Sequence, residues 1–160
     1  CIRDRGGSLH DKLAAIGAEA MVAYLPTIEA RATSPETQPE SGATYAKRLT
    51  VDEAWVDWSA PAIDIERAIR AYNPWPVART RLAGEPLRLW GAELASRDEP
   101  DSGGRAAGTV LRVGRSGIGV LAGDGREVVL TALQRAGGKR LGAADFLNGT
   151  PLEPGTRLGV

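Results

Sequence analysis

The sequence predicts a fold that is mainly β with α, a small antiparallel barrel preceded by helices and a linker. Three observations carry this. Five short apolar or alternating runs lie between positions 77 and 133, separated by glycine-rich breaks. Upstream of them, two segments repeat apolar residues at helical spacing, and a polar stretch without periodicity separates the two.

The first helical segment opens on Ser8-Leu9-His10-Asp11, a hydroxyl with a carboxylate three residues on, which has the form of a capping box and predicts a start at Ser8. Leu9, Leu13, Ile16 and Ala20 make an apolar stripe, and Met21, Val22, Leu25 and Ile28 continue the apolar content. Gly17 weakens the middle and Pro26 is expected to kink or interrupt the second half, so one long helix and two short ones fit equally well. Either way the stripe needs a surface to bury against. From 32 to 44 the chain turns to Thr, Ser, Pro and Glu, a linker composition that marks a domain boundary.

The second helix is expected over 60–72, with Ser59 as its cap and Pro61 tolerated in its first turn. Ala62, Ile65, Ile69 and Tyr72 share one face, while Glu66 and Arg70 stand four apart in the favourable order. That ion pair is worth about 0.3–0.5 kcal/mol, too little to explain Arg70 by itself. Asn73-Pro74-Trp75-Pro76 then ends the helix. Its two prolines fix φ near about −65° and push Asn73 and Trp75 out of helical conformation, giving a rigid turn that aims the chain.

Strands are expected over 77–82, 86–95, 108–113, 118–122 and 127–133, with turns at Ala83-Gly84, Ser116-Gly117 and Gly123-Asp124-Gly125. A short helix over 142–149 ends on Gly149, and 154–158 is expected to add a closing strand.

A chain of 160 residues, 42% hydrophobic and 25% charged, can bury one good core. It carries no secretory signal, and no apolar run approaches the roughly 20 residues that cross a bilayer, so a protein free of membrane and cytoplasmic is expected. The first residue is Cys1 rather than Met, which reads as a fragment or processed product. Cys1 is also the only cysteine, so an internal disulfide and a cysteine-built zinc site are excluded. Net charge is zero, yet residues 1–76 hold 8 Lys/Arg against 11 Asp/Glu and residues 77–160 hold 12 against 9, that is −3 and +3. A basic second half favours polyanions if its charges converge.

Catalytic and metal-binding candidates are few. His10, the only histidine, reads as a surface or interface residue, since a general base needs a partner that the sequence does not supply. Asp98-Glu99-Pro100-Asp101 reads as a solvated loop tip. Gly123-Asp124-Gly125 reads as a hairpin turn and not a phosphate cradle, because no Lys-Ser/Thr and no helix follows it.

Longer motifs carry more. Thr44-Tyr45-Ala46-Lys47-Arg48-Leu49, Asp57-Trp58-Ser59, Ile63-Asp64-Ile65-Glu66-Arg67-Ala68, Ile69-Arg70-Ala71-Tyr72-Asn73-Pro74-Trp75-Pro76, Val77-Ala78, Gly108-Thr109-Val110 and Gly155-Thr156-Arg157-Leu158 occur in this order. Together they closely resemble the C-terminal part of the methionyl-tRNA formyltransferase family. The resemblance implies a helical remnant of the catalytic domain over 1–31, a linker over 32–49, and an OB-like antiparallel Greek-key barrel domain over 50–160. It implies a parent enzyme that formylates initiator methionyl-tRNA in translation initiation with 10-formyltetrahydrofolate as cosubstrate. The family's catalytic trio of Asn, His and Asp matches no residues here, so the chain alone is expected to be inactive and to hold no cofactor. The partners implied are initiator methionyl-tRNA and the missing N-terminal catalytic domain, with the chain a monomer. A spacer domain of another folate-dependent formyltransferase or hydrolase, and a non-enzymatic barrel adaptor, are the alternatives.

The resemblance also implies that tRNA lies against basic residues of the linker and barrel, here Lys47, Arg48, Arg79, Arg81, Arg88, Arg112, Arg115, Lys139 and Arg140. Arg79 and Arg81, two apart, share a sheet face, and Arg88 alternates with Leu87 and Leu89, so guanidinium groups suited to phosphates can line an outer face. Trp55, Trp58, Trp75 and Trp90 can stack on bases, but core or interface packing is the commoner use. Arg70, Asn73, Pro74, Trp75 and Pro76 are expected at a domain interface, with the turn packed where the connecting helix meets the barrel.

Overall fold

The computed structural model describes residues 4–32, 34, 36–96 and 103–159; Cys1 and the acidic run Asp98-Glu99-Pro100-Asp101 lie outside the described residues. Helix α1 spans Gly6–Glu29. It starts two residues before the expected cap: Arg5 is the N-cap, and the Ser8 hydroxyl accepts the Arg5 N–H at 3.0 Å from inside the first turn. The cause is tertiary, because Gly7 N–H donates to the Asn73 carbonyl at 2.9 Å. Pro26 falls in the last turn of one continuous helix, where its missing N–H forfeits only the bond to the Val22 carbonyl. No residue of α1 is buried, and Leu13, Ile16, Met21, Val22, Leu25 and Ile28 lie exposed along it.

The described residues between 32 and 50 run without regular structure to a short 3-10 turn at Asp52–Ala54, and α2 follows at Ala62–Ala71. Ser59 does not cap α2 as expected. Its N–H and hydroxyl both donate to Asp57 Oδ1, at 2.9 and 2.6 Å. Those two bonds hold the Asp57 carboxyl below its ordinary range. The α2 N-terminus is served from a distance, where the Ala62 N–H donates to Asp124 at 3.2 Å. Gly123-Asp124-Gly125 is thus both a turn and a cap. Ala62, Ile65 and Ile69 are buried as the spacing predicts, with Tyr72 partly buried behind them.

Among the described residues six strands follow: β1 Ala78–Leu82, β2 Glu85–Leu94, β3 Val110–Gly114, β4 Gly117–Leu121, β5 Glu127–Arg135 and β6 Leu141–Gly142, with α3 at Ala143–Gly149. All pairings are antiparallel, in the order β1-β2-β5-β4-β3 with β6 on β5. The mainly β architecture with flanking helices agrees with the predicted class. Helix α2 covers the sheet from the β2–β5 side, and its apolar face joins Leu87, Leu89, Leu130, Leu133 and Phe146 in one core.

The expected closing strand over 154–158 forms only isolated bridges, Leu158 with Leu82 and Arg157 with Thr109. Gly155 and Gly159 adopt positive φ (96° and 86°) and break the extended run at both ends. The segment still joins the two edges of the sheet. Gly159 N–H donates to Arg81 O, Leu158 N–H to Gly108 O and Val110 N–H to Thr156 O, at 2.9, 2.9 and 2.8 Å. Beneath it Trp58 is buried, its Nε1–H donating to the buried Thr80 hydroxyl at 2.9 Å.

The turn after α2 is closed by Val77 N–H to Tyr72 O at 2.9 Å, and Asn73 and Pro76 are buried in it. Trp75, expected to pack there, is instead 52% exposed. The buried positions of the turn are Asn73, whose amide bonds the Trp90 carbonyl, and Pro76.

Candidate nucleic-acid interface

Strand β1 alternates buried Ala78 and Thr80 with outward Arg79 and Arg81, and β2 alternates buried Leu87 and Leu89 with exposed Arg88. Register then places Arg79 directly opposite Arg88, and Arg88 opposite Gln134 of β5. Three guanidinium groups therefore share the outer face of adjacent strands.

An aromatic ring flanks this row on each side. Trp55 runs beside β1, bridged to Arg79, with Val56 N–H donating to Arg79 O at 2.8 Å. The guanidinium carbons of Arg81 and Arg79 stand 4.8 and 5.7 Å from the centre of its ring, within cation–π range. Arg79 Nη2 donates to Pro76 O at 3.4 Å, whereas its Nε is buried without a hydrogen-bond partner. On the other side Trp90 Nε1–H donates to Gln134 Oε1, and Gln134 Nε2–H donates on to Gly138 O, both at 2.8 Å. Arg140 lies 5.1 Å from the Trp90 ring centre.

Four of the predicted basic residues, Arg79, Arg81, Arg88 and Arg140, are thus gathered around β1, β2 and the β5–β6 connection. Lys139 is exposed in that same connection. Arg112 is not part of the group: it lies on β3 with Nε 2.7 Å from Glu127 Oε1, an ion pair by distance rather than an aligned hydrogen bond. Arg115 sits in the β3–β4 turn and lines a groove with Asp145 and Asn148 of α3. Lys47 and Arg48 are exposed on the irregular segment before the 3-10 turn. Gln134, which orients Trp90, carries no signal in the sequence, because only the β2–β5 register brings it beside Arg88.

The residues expected at a domain interface divide in the same way. Asn73 donates from Nδ2 to Trp90 O at 2.8 Å and accepts from Gly7 through its carbonyl, so it ties α1 to β2. The Pro74 ring lies against Gly7. Arg70 pairs with Glu66 at 3.4 Å and lines a groove of about 820 Å³ between α2 and β2 that also includes Arg5, Arg67, Trp90 and Glu93. Trp75 faces outward.

Other chemistry is sparse. His10 Nδ1 lies 3.2 Å from Asp11 Oδ1 on the open surface of α1, with the ring side chain 80% exposed. Asp4 is held below its ordinary range chiefly by its bond from Lys12 Nζ at 2.7 Å. Among the described residues no three His, Cys, Asp or Glu side chains converge to hold a metal, and no helix is long and apolar enough to cross a membrane.

The family described as formyl transferase, C-terminal domain, matches residues 48–151. The chain is similar to a curated methionyl-tRNA formyltransferase of Halorhodospira halophila, 47% identical over 95% of this chain and 47% of that protein. It is 49% identical to another of that name from Chromobacterium violaceum, over 98% of this chain and 48% of the relative. The chain therefore spans about half the length of the curated relatives it matches. Among solved structures, HypX from Aquifex aeolicus superposes with a TM-score of 0.65 at 18% identity, covering 90% of this chain and 26% of that one, a likeness of fold alone.

Proposed function

The chain belongs to the formyl transferase C-terminal domain family, and from that premise we propose that it is the tRNA-holding half of a methionyl-tRNA formyltransferase. The observation that carries this is the gathering of Arg79, Arg81, Arg88 and Arg140 on one outer face of a chain whose net charge is zero. A convergent row of this kind favours a polyanion, and it releases counterions when phosphates replace them. Guanidinium forks suit phosphate oxygens and read no base, so the face supplies affinity and orientation while the choice of initiator tRNA falls to other contacts.

The formyl donor, 10-formyltetrahydrofolate, belongs in this reading to a catalytic half outside the present residues. Among the described residues no side chain suits the chemistry. Removing a proton from an attacking amine needs a general base with an orienting partner in an enclosed site. His10 meets only Asp11, in open solvent. The exposed Leu13, Ile16, Met21, Val22, Leu25 and Ile28, spread over roughly two thirds of the helix circumference at 3.6 residues per turn, are the side chains that such a catalytic half would cover, which accounts for a 24-residue helix that buries nothing. On this reading the segment 32–49 is the linker, and the protein works in translation initiation in the cytoplasm, as a monomer with a single tRNA.

The test is titration of labelled initiator and elongator tRNA against the chain at several salt concentrations. Binding that weakens steeply with salt and barely distinguishes the two tRNAs agrees with the proposal. Absence of binding at low salt, or binding insensitive to salt, refutes it and leaves a spacer domain.

A further inference from the structure

Helix α1 buries no residue, yet its first turn is held against the barrel domain by a backbone hydrogen bond and by close packing at two glycines. Gly7 N–H donates to Asn73 O at 2.9 Å. A Cβ on Gly6 would stand 2.3 Å from Ala71 O, and a Cβ on Gly7 would stand 2.6 Å from Pro74 Cδ. Both are closer than non-bonded atoms approach, so no side chain larger than hydrogen fits at either position without moving the helix. The far end of the linkage is equally fixed, because Asn73 Nδ2 donates to Trp90 O of β2 at 2.8 Å. Gly17 of the same helix shows the contrast, with nothing within 4 Å of the place its Cβ would occupy. A glycine pair in a helix costs stability relative to alanine, so a pair at the point of closest approach has a packing reason that Gly17 lacks.

We infer that Gly6 and Gly7 are positioning residues, a backbone latch that fixes the direction in which α1 leaves the barrel domain. Whatever covers the exposed apolar side chains of α1 is thereby held in one orientation toward the basic face, through Asn73 and the Trp90 strand that borders it. The latch goes beyond the proposed function. It stands whether or not the basic face takes tRNA, and only the identity of what α1 carries rests on that reading.

The test uses the whole chain with Cys1→Ser and spin labels at Glu19→Cys on α1 and Ser116→Cys in the β3–β4 turn, read by pulsed electron spin resonance. The parent should give one narrow distance. Gly7→Ala should broaden the distribution or shift its mean by on the order of 5 Å, the displacement that a 15° tilt gives over the roughly 20 Å from Gly6 to Glu19 at 1.5 Å per residue. Gly6→Ala should do the same, Gly17→Ala should leave the distribution as in the parent, and all three should keep the parent's barrel unfolding midpoint. The inference is overturned by a parent distribution that is already broad, by Gly6→Ala and Gly7→Ala distributions like the parent's, or by variants that lose the barrel's cooperative transition. In the last case the glycines would hold the fold and not the angle.

Discussion

Replacing Arg79 and Arg81 together by Ala tests the basic face where its geometry is best defined. If each guanidinium meets one phosphate, the slope of log affinity against log salt becomes shallower by up to about 0.9 per residue, or about 1.8 for both. Between about 50 and about 200 mM salt, a change of about 0.6 log units, the parent should therefore lose about tenfold more affinity than the double variant. The structure also attaches a stability cost. Both guanidiniums lie over Trp55, at 5.7 and 4.8 Å, and exposed cation–π contacts are worth about 0.5–1 kcal/mol each, so about 1–2 kcal/mol should be lost. Binding is best followed by fluorescence anisotropy of labelled initiator and elongator tRNA, at a temperature where chemical denaturation shows the variant folded. The pair Arg79→Lys with Arg81→Lys separates the two effects, since it keeps both charges and gives up the planar stack. The double lysine variant should keep the parent's slope. A double alanine variant with the parent's slope, or lysine and alanine variants that lose slope equally, would refute the phosphate role of these two residues.

Four further outcomes follow from the geometry. With 10-formyltetrahydrofolate and charged initiator tRNA, the chain alone should give no formyl transfer above a buffer blank in a product assay, because His10 has only the exposed Asp11 beside it. Thr80→Val should leave the buried Trp58 Nε1–H without an acceptor and cost about 1–3 kcal/mol by urea denaturation. Asp124→Ala should remove the remote cap of α2 and cost about 0.5–2 kcal/mol, with faster amide exchange concentrated in the first turn of that helix. Asp57 has a folded pKa below its unfolded value, so its contribution is fully present above the unfolded pKa of about 3.9 and is lost as pH falls through the folded value. Asp57→Asn should therefore flatten the acid limb of the stability profile below about pH 4, and an unchanged acid limb would count against the Ser59 bonds as the cause.

The strands were legible because glycine breaks the chain wherever it turns, and 77–82, 118–122 and 127–133 correspond closely to β1, β4 and β5. Outward arginines at 79, 81 and 88 were legible too, from alternation alone. Their convergence was not, since it depends on the β1–β2 register, and the role of Gln134 depends on the β2–β5 register. Local capping logic failed at both long helices for one reason. Ser8 and Ser59 offer good caps, but the Asn73 carbonyl draws α1 two residues further back, and Asp124, 62 residues away, supplies what Ser59 was expected to give. Trp75 misled because an aromatic between two prolines suggests packing, whereas the buried parts of that turn are Asn73 and Pro76. Arg112 shows that a count of basic residues overstates a basic face, because Glu127 already neutralises it.

The segment around Leu158 touches β1 at Leu82 and the start of β3 at Thr109, so the two ends of the sheet are joined by residues that come after every strand in the chain. Until those residues are made, the β3 edge and the Leu82 end of β1 stand open, while Trp55 and Val56 already cover β1 at Arg79, and the contact of Leu158 with Leu82 spans more than seventy residues. Unpaired edges template pairing with other chains. Loss of 155–159 should therefore show first as self-association of otherwise well-formed sheets, with yield falling steeply with expression level before any binding surface is altered.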